Sequence, residues 1–475
     1  MSTLAHHVAR NTLAQIIGKI ISLLLGLVTI GLMTRYLGQV GFGQYTTVIN
    51  YLSFFAVAAD LGLTLITSQL LSQPGANEKN ILGNLMALRL VSALAILLPA
   101  PIIIWFLPYE PIIKLGAVIA VFSFVFPALS QVLIGFFQKQ LRVDRVAIAE
   151  VVSRIFLLIF VIITIYGKLG LYGILAAHVA SAAAAFIIQF YYASQTTTIT
   201  LRFQFTWWRE VIRRSWPLGI TIVFNLIYLR ADTLILSLIK TQGEVGLYGA
   251  AYRVVDVLIT IPFIFAGILL PIMTRTWLTD RLHFPELLQR AADIMAMVAV
   301  PMAIGTQFIA TDVMHTVAGQ EFITSGVILR ILIIAVAIIY VGTIYSHAVI
   351  ALEQQRRIIP AYIFTAITAV IGYLIFIPRY GYLGAAWVTV YSELTIACCS
   401  YWLVRKHSAI RFHSPIIFQI LFSTALLSVI LWLSPFYWWF NLPVAIVIYF
   451  LSLWQTGGIK TADLLLLIRK TKTNE

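Results

Sequence analysis

Long uninterrupted apolar runs are the feature that most limits what this sequence can fold into. The first two cover about residues 11–34 and 42–71, and a turn at 35–43 separates them. Each run exceeds the ~20 apolar residues that cross a bilayer core of about 30 Å. Inside lipid, a chain must satisfy its backbone hydrogen bonds internally, and long apolar runs do so as helices. We therefore expect an all-α integral membrane protein.

Composition supports the same class for the whole chain. Of 475 residues, 61% are hydrophobic and 11% are charged, whereas soluble domains carry about 25% charged residues. Dividing the sequence into apolar runs gives about fourteen transmembrane helices. The twelve runs after the first two lie near 81–107, 112–137, 143–166, 171–193, 215–239, 245–274, 286–309, 323–352, 358–378, 381–404, 414–434 and 437–455.

The distribution of positive charge predicts the orientation. The formal net charge is +14, and membrane proteins concentrate Lys and Arg in cytoplasmic loops, which explains the charge without nucleic acid. If the N-terminus is cytoplasmic, most loop cations fall on the inner side. We therefore expect a multi-pass cell-membrane protein with both termini in the cytoplasm. The cations predicted on the outer side are Arg35, Lys114, Lys168, Lys240 and Arg379.

Three short similarities at an offset of about 210 residues indicate an internal repeat. Because six spans separate the copies, both halves start on the same membrane face and form parallel repeats. The predicted divisions are a first lobe at 1–206, a second at 207–406, and two extra helices with a cytoplasmic tail at 407–475. The matching segments are 43–45 with 246–248, 138–142 with 353–357, and 170–173 with 381–384.

The interval between the halves has its own pattern. Tryptophans and arginines stand together at residues 207–214, just before the seventh predicted span. Such a segment is typical of a helix that lies on the membrane surface before the chain enters the bilayer.

The motifs of both halves resemble a known family. The first half carries Tyr-Leu-Gly at 36–38, Gly-Phe-Gly-Gln-Tyr at 41–45 and Ala-Asp-Leu-Gly-Leu at 59–63; the second carries Arg-Ala-Asp at 230–232 and Val-Gly-Leu-Tyr-Gly at 245–249. From about residue 8 to 405 the chain resembles the oligosaccharide flippases (Wzx-like polysaccharide biosynthesis proteins) of the multidrug/oligosaccharidyl-lipid/polysaccharide (MOP) exporter superfamily. The resemblance implies two six-helix lobes around a central cavity. It also implies transfer of undecaprenyl-diphosphate-linked oligosaccharides between leaflets, driven by an ion gradient.

Cations inside predicted spans are the candidate substrate-binding residues. A charge at mid-membrane costs about 2.5–3.5 kcal/mol on insertion scales, and arginine matches the oxygens of a phosphate. The alternative for cations near helix ends is that they reach the headgroups, and Glu150 or Asp256 could neutralise a cation on its own helix. The candidates are Lys19, Arg89, Arg154, Arg230, Arg253 and Arg330.

Four acids inside predicted spans are candidates for coupling to H⁺ or Na⁺. A carboxylate in a cavity can bind a cation on one side of the membrane and release it on the other. Asp60 and Glu393 have no cation close in the sequence and are the preferred coupling residues, whereas Asp232 and Asp256 lie near arginines. We expect Asp232 to find its partner on another helix, since Arg230 is not on its face.

Several chemistries lack their signatures in the sequence. It contains no phosphate-binding loop ending in Lys-Ser or Lys-Thr and no zinc spacing. We therefore predict a transporter, not an enzyme, with no cofactor or metal and no catalytic residue. The expected partners are the lipid-linked oligosaccharide, membrane lipids, the coupling ion and, as a further candidate, a polysaccharide polymerase. The alternatives are a lipid II flippase, a multidrug/cation antiporter of the same superfamily, and a glycan polymerase or ligase, which would need a long outer loop.

Overall fold

Helices make up the regular structure of the protein. The computed structural model describes residues 2–60, 62–71, 77–408, 416–433 and 438–458, and no strand is found among them. Two short 3₁₀ turns, Ile104–Phe106 and Gln320–Phe322, accompany the helices. The helices are α1 (Ser2–Asp60), α2 (Leu63–Leu71), α3 (Glu78–Leu97), α4 (Ala100–Ile103), α5 (Pro111–Ala120), α6 (Phe122–Lys139), α7 (Val143–Tyr166), α8 (Gly170–Ser194), α9 (Phe205–Ile239), α10 (Gln242–Thr279), α11 (Phe284–Ala318), α12 (Ser325–Ala351), α13 (Gln355–Ser408), α14 (Ile417–Leu433) and α15 (Trp438–Gln455).

Two of the helices are broken at a glycine. Gly38 in α1 has φ 66° and ψ −176°, and Gly381 in α13 has φ 57° and ψ −136°. These conformations are unfavourable for residues with a Cβ, so glycine makes each break possible. Gly38 falls between the first two predicted spans, and Gly381 is the first residue of the span predicted at 381–404. Helix α13 contains two of the fourteen predicted spans, whereas α1 contains the first and only part of the second, which continues in α2. The expected turn at 35–43 is confirmed.

Ten helical segments in the described ranges are long and apolar enough to cross a membrane. Large apolar side chains remain exposed along them, for example Leu24 on α1, Ile163 on α7 and Phe364 on α13. A soluble protein rarely exposes so much contiguous apolar surface, whereas a lipid-facing helix requires it. The expected all-α membrane protein is confirmed.

The chain divides into two compact units, Met1–Gly249 and Ala250–Glu475, with the boundary inside α10. In the first, α7 packs on α1 and α8; in the second, α12 packs on α11 and α13, and α14 and α15 pack together beside α11. The predicted repeat boundary at residue 206 stays a prediction, because the division into units follows contacts and does not test the repeat. The predicted tail at 459–475 lies outside the described residues.

The link to the seventh span differs from our expectation. Instead of a separate surface helix at 207–214, α9 is continuous from Phe205 to Ile239. The preceding segment is fixed to α3: the Arg202 amide donates to the Gly83 carbonyl at 3.2 Å, and the Gln204 amide donates to Asn84 Oδ1 at 3.0 Å. Trp208 is buried in the apolar cluster with α3 and α6. Trp208 therefore packs inside the protein, whereas Arg209, Arg213 and Arg214 of the same segment are exposed; the position of this segment at the membrane surface stays a prediction.

Small residues let α1 and the start of α10 approach closely within the first unit. A Cβ added to Gly43 would lie 1.7 Å from the Gln242 carbonyl oxygen. Thr47 Oγ1 donates to Gln242 Oε1 at 2.7 Å beside this contact. Glycine is therefore required at position 43 by backbone packing, a common way for membrane helices to associate.

We expect the substitution Gly43→Ala to destabilise the protein by about 1–3 kcal/mol, because the added methyl group forces α1 away from α10. The matched control is Gly26→Ala on the same helix, where an added Cβ has nothing within 4 Å; it should stabilise α1 by about 0.5–1 kcal/mol. Melting temperatures of the purified variants measure both effects. Equal melting temperatures for the two variants would contradict this packing argument.

Candidate functional site

Lys19 on α1 is paired with an acid of another helix. Its Nζ lies 3.0 Å from Glu150 Oε1 on α7, and both side chains are partly exposed. The two helices can come close here because residue 18 is a glycine. A Cβ added to Gly18 would lie only 3.0 Å from the Ala147 Cβ. The alternative that the sequence left open, a pair of Glu150 with Arg154 four residues later on α7, is not among the ion pairs of the described residues. Close packing of α1 instead gives Glu150 the Lys19 ammonium group as its ion-pair partner.

All three nitrogens of the Arg89 guanidinium group on α3 donate hydrogen bonds. Two of them reach Asp60, the last residue of α1, where the second predicted span is interrupted before α2. Only 2% of Arg89 is exposed, so it does not reach the headgroups. Its Nη1 donates to the Asp60 carbonyl at 2.9 Å, its Nε donates to the Ala128 carbonyl at 3.0 Å, and its Nη2 donates to both Asp60 Oδ1 and Thr64 Oγ1. The guanidinium group thus pairs with Asp60 and satisfies the carbonyl at the end of α1.

Asp232 is completely buried on α9. Its Oδ2 accepts a hydrogen bond of 2.6 Å from the Tyr248 hydroxyl on α10, and its Oδ1 accepts from the amide and hydroxyl of Thr233. The expected partner on another helix is therefore confirmed. Arg230 also interacts electrostatically with Asp232. Both carboxylate oxygens are occupied, which favours a structural role for this acid.

Arg253 and Asp256 form a local pair on α10, with Arg253 Nη1 3.6 Å from Asp256 Oδ2. Spacing of three residues along a helix brings the two side chains together, as expected. Both side chains are partly exposed. A pair of this kind can exchange its partner for a ligand, since neither group is sealed in the protein.

Arg154 on α7 and Arg330 on α12 differ from the other predicted cations. Neither has an ion-pair partner among the residues that the structure describes. Arg330 Nη2 lies 3.4 Å from Thr311 Oγ1, and its Nε is buried without a hydrogen bond to any described residue. These two guanidinium groups are the ones with donors available to an anion.

Glu393 on α13 is the least compensated of the four predicted coupling acids. It is 7% exposed, and within the described ranges no ion pair or hydrogen bond reaches its carboxylate. Asp60, Asp232 and Asp256, by contrast, each have a partner. A buried carboxylate without a cation is costly as an anion and favours binding of a positive ion.

The second unit also contains buried polar residues that the sequence did not single out. Asp293 on α11 accepts a hydrogen bond of 2.8 Å from Gln289, Tyr345 on α12 is buried, and Tyr362 on α13 is half-buried. Single polar residues in apolar runs give no signal for which of them meet, so only helix packing brings them together. In the described part of the chain, no group of three or more His, Cys, Asp or Glu residues is suited to hold a metal ion.

Removal of Arg89 tests the importance of its buried network. Arg89→Leu leaves the Asp60 carboxylate without its cation and two carbonyl groups without donors, so we expect a loss of about 3–5 kcal/mol of stability. The control is Arg214→Leu, which removes an exposed pair with Glu210 and should change stability by about 0–1 kcal/mol. Melting temperature and amount of protein in the membrane are the measurements. Wild-type stability of Arg89→Leu would show that the network is dispensable.

Comparisons with known proteins agree on the class of this chain. The profile of the family described as "Polysaccharide biosynthesis protein" matches residues 8–277, more than half of the sequence. No curated protein sequence matches significantly.

Three solved structures have a similar fold. A lipid II flippase MurJ in an inward closed conformation has a TM-score of 0.77 at 17% identity, covering 92% of this chain and 97% of that chain. A multidrug resistance MATE family transporter of the MOP superfamily in an inward-facing conformation gives 0.70 at 14% identity, covering 84% and 98%. A MOP superfamily transporter from Pyrococcus furiosus, described as having a binding pocket of reverse polarity, gives 0.58 at 16% identity, covering 85% and 95%.

These identities establish a shared fold, and the profile match establishes the family. The three similar structures are those of a lipid II flippase and of two transporters of the MOP superfamily. The chain is a member of the polysaccharide biosynthesis protein family and has the fold of the MOP superfamily of transporters.

Proposed function

We propose that this protein transfers an undecaprenyl-diphosphate-linked oligosaccharide from the cytoplasmic to the outer leaflet, for the synthesis of a surface polysaccharide such as O-antigen, capsule or exopolysaccharide. The observation that carries the proposal is the absence of an acidic partner for Arg154 and Arg330 among the described residues. The family and the fold support a transporter. The two arginines favour an anionic substrate, because a bound anion would supply the negative charge that their surroundings lack.

The chemistry of the two arginines suits a diphosphate. A guanidinium group offers parallel N–H donors that match two phosphate oxygens, and its interaction is strongest where water is scarce. Arg330 has a buried Nε that no described residue satisfies, so a bound phosphate would complete its hydrogen bonds. A cationic drug would instead be repelled by these groups and would need unpaired acids.

The two arginines lie at different depths. Arg154 is about 16 Å along α7 from its start on the predicted cytoplasmic side, and Arg330 is about 8 Å along α12 from its start on the predicted outer side. In the alternating-access cycle that we propose, the diphosphate is bound first in the neighbourhood of Arg154 and later in that of Arg330. Lys19 and Arg253 can assist at each stage by exchanging their acids for phosphate. Arg230 stays a candidate, and the hydrogen bonds of Arg89 favour a structural role.

Glu393 is the group that we assign to energy coupling. Binding of H⁺ or Na⁺ neutralises its buried carboxylate, and one charge moved through 100 mV supplies about 2.3 kcal/mol. Occupancy of Glu393 would then differ between the two sides of the membrane and bias the cycle toward export. Asp60, Asp232 and Asp256 are weaker candidates, since each has a protein partner.

A lipid II flippase is the second candidate, because its substrate carries the same diphosphate and the MurJ structure is similar in fold. Nothing in the arginine chemistry separates the two lipid-linked substrates. A multidrug/cation antiporter is disfavoured by the unpaired arginines. The identity of the lipid that accumulates when transport stops distinguishes the first two functions.

We expect Arg330→Ala to reduce surface glycan by roughly tenfold or more at normal protein levels, because the diphosphate loses a charge-assisted contact. Arg330→Lys should retain part of the activity, and Arg290→Ala, which removes an exposed pair with Glu286, should retain all of it. Surface glycan and extracted lipids are measured in a deletion strain carrying each variant. Accumulated undecaprenyl-diphosphate oligosaccharide supports the proposal, accumulated lipid II supports the second candidate, and normal export by Arg330→Ala refutes the role of this arginine.

We expect Glu393→Gln to abolish the response of export to the ion gradient, because the neutral amide can no longer take up a cation. Glu393→Asp should retain the response. The measurement is the rate of glycan export before and after collapse of the proton or sodium gradient with a selective ionophore. If export by the Glu393→Gln variant remains as sensitive to the ion gradient as export by the wild type, then Glu393 is not the coupling residue.

A further inference from the structure

Helix α13 folds back on itself at Gly381, so that its two arms, 355–380 and 382–408, lie side by side and antiparallel. In the middle of the arms, the Tyr391 hydroxyl donates to Thr368 Oγ1 at 3.1 Å. At their far ends, Arg357 Nη1 donates to His407 Nε2 at 2.5 Å. The first turn and the last turn of α13 therefore meet at one membrane face, which the charge distribution predicts to be cytoplasmic.

Each arm carries an exposed apolar face. The exposed residues recur at intervals of three or four, which places them on one side of a helix. The hydrogen bond between Tyr391 and Thr368 joins the two faces, so they adjoin along a line that we call the α13 seam. Apolar surface of this kind on a membrane helix is in contact with lipid chains. The exposed residues are Phe364, Ile367, Ile371 and Leu374 on the first arm, and Trp387, Tyr391, Leu394, Cys398 and Trp402 on the second.

Four cations stand at the cytoplasmic end of the α13 seam. Arg356 and Arg357 lie in the first turn of α13, and Arg405 and Lys406 lie in its last turn. All four residues are exposed, and none of them forms an ion pair with a described residue. The acid nearest to them in the sequence, Glu353, is exposed and forms no ion pair with a described residue either. A group of positive charges without an acid attracts an anion.

Arg357 is held in place by a neutral histidine. A guanidinium group can only donate hydrogen bonds, so His407 Nε2 is the acceptor of the bond from Arg357. The other ring nitrogen, Nδ1, donates to the Leu403 carbonyl at 2.9 Å. The contact fixes one nitrogen of Arg357 without supplying negative charge. Its other two nitrogens have no hydrogen bond to any described residue and can donate to a ligand.

The matching position of the first predicted repeat is built differently. Leu141 and Glu353 have φ of 54° and 56° in the turns that precede α7 and α13, so Arg145 corresponds to Arg357. Arg145 Nη1 donates to the Tyr192 carbonyl at 3.0 Å, and its guanidinium group stacks 5.3 Å from the centre of the Tyr192 ring. Protein groups therefore cover this arginine, whereas Arg357 stays open to a ligand.

The depth of the cations in the membrane follows from a tryptophan. Lys406 Nζ lies 5.4 Å from the centre of the Trp402 ring, and Trp402 is 62% exposed. Exposed tryptophans near helix ends mark the level of the lipid headgroups. Half of a bilayer core of about 30 Å corresponds to about ten residues of helix. From the cations, one leaflet therefore reaches to about Ile367 on the first arm and Cys398 on the second.

We propose that the α13 seam and its four cations bind an anionic phospholipid of the cytoplasmic leaflet. The phosphate is bound by Arg357 together with Arg356, Arg405 and Lys406, and the acyl chains lie along the two exposed apolar faces. A zwitterionic phospholipid fits less well, because its own positive group would lie among these cations. The site is independent of the transported substrate, whose proposed contacts are Arg154 and Arg330.

Lipid-dependent stability tests the proposed site. The melting temperature of the purified full-length protein in detergent is measured with added phosphatidylglycerol, phosphatidylcholine or inorganic phosphate. We expect phosphatidylglycerol to raise the melting temperature, because a ligand that binds the folded state stabilises it. Phosphatidylcholine lacks the net charge and inorganic phosphate lacks the acyl chains, so neither should match this effect. Equal stabilisation by either of them would overturn the proposal.

Two double variants separate a specific site from general surface charge. Arg356→Gln with Arg405→Gln should keep the melting temperature of the lipid-free protein, since neither side chain has a partner among the described residues. Its affinity for phosphatidylglycerol should fall by roughly thirtyfold, because each basic residue near anionic lipid contributes about 1 kcal/mol. Arg275→Gln with Arg281→Gln removes the same charge from exposed positions on the same predicted face and should keep the wild-type affinity. An equal loss of affinity in both double variants would overturn the proposal.

The single variant Arg357→Gln tests the central arginine. The glutamine amide can still donate to His407, but it has lost the charge that binds phosphate. We expect the affinity for phosphatidylglycerol to fall by roughly tenfold, and Arg357→Lys should retain part of it. Wild-type affinity of Arg357→Gln would overturn the role of this residue as the main phosphate contact.

Native mass spectrometry identifies the lipid that the protein retains after mild extraction. We expect bound phosphatidylglycerol on the wild type and much less on Arg356→Gln with Arg405→Gln. If undecaprenyl diphosphate displaces phosphatidylglycerol from the wild type but not from the double variant, the site belongs to the substrate and the proposal is wrong. Glycan export by Arg330→Ala is a separate measurement, so failure of the phospholipid site and failure of the proposed function are distinguishable.

Discussion

An uncompensated charge inside a membrane is costly, and this constraint governs how the polar residues of the protein are arranged. The backbone meets the same demand by forming helices. Among side chains, the clearest response is the buried pair of Arg89 and Asp60, where each nitrogen of the guanidinium group donates a hydrogen bond. Lys19 with Glu150 and Arg253 with Asp256 follow the same rule at less buried positions. Most intramembrane charges therefore serve the stability of the bundle.

The exceptions to this rule carry the functional argument. Arg154, Arg330 and Glu393 have no oppositely charged partner in the described ranges. A protein keeps such groups in an apolar setting when a ligand supplies the missing charge for part of a cycle. Two arginines suit an anion and one carboxylate suits a cation, which is the combination that an ion-coupled exporter of phosphate-linked lipids requires.

In the second unit, helix packing also places polar side chains in the interior of the protein. Asp293, Tyr345 and Tyr362 lie on three different helices, α11, α12 and α13, and α12 packs against both of the others. Small residues make such close packing possible, as at Gly342, where an added Cβ would lie 2.9 Å from the Ala397 Cβ.

The sequence by itself determined the class of the protein and its local features. Apolar run lengths predicted the spans, glycines marked the breaks at Gly38 and Gly381, and spacing along one helix indicated the pair Arg253–Asp256. It could not determine which distant charges meet: Glu150 pairs with Lys19 across 131 positions and not with Arg154 on its own helix. Nor could it show that Trp208 is buried against α3 and α6. Only the tertiary structure decided these contacts, because hydrophobicity and helical period act within a segment, whereas charge pairing depends on which helix faces pack together.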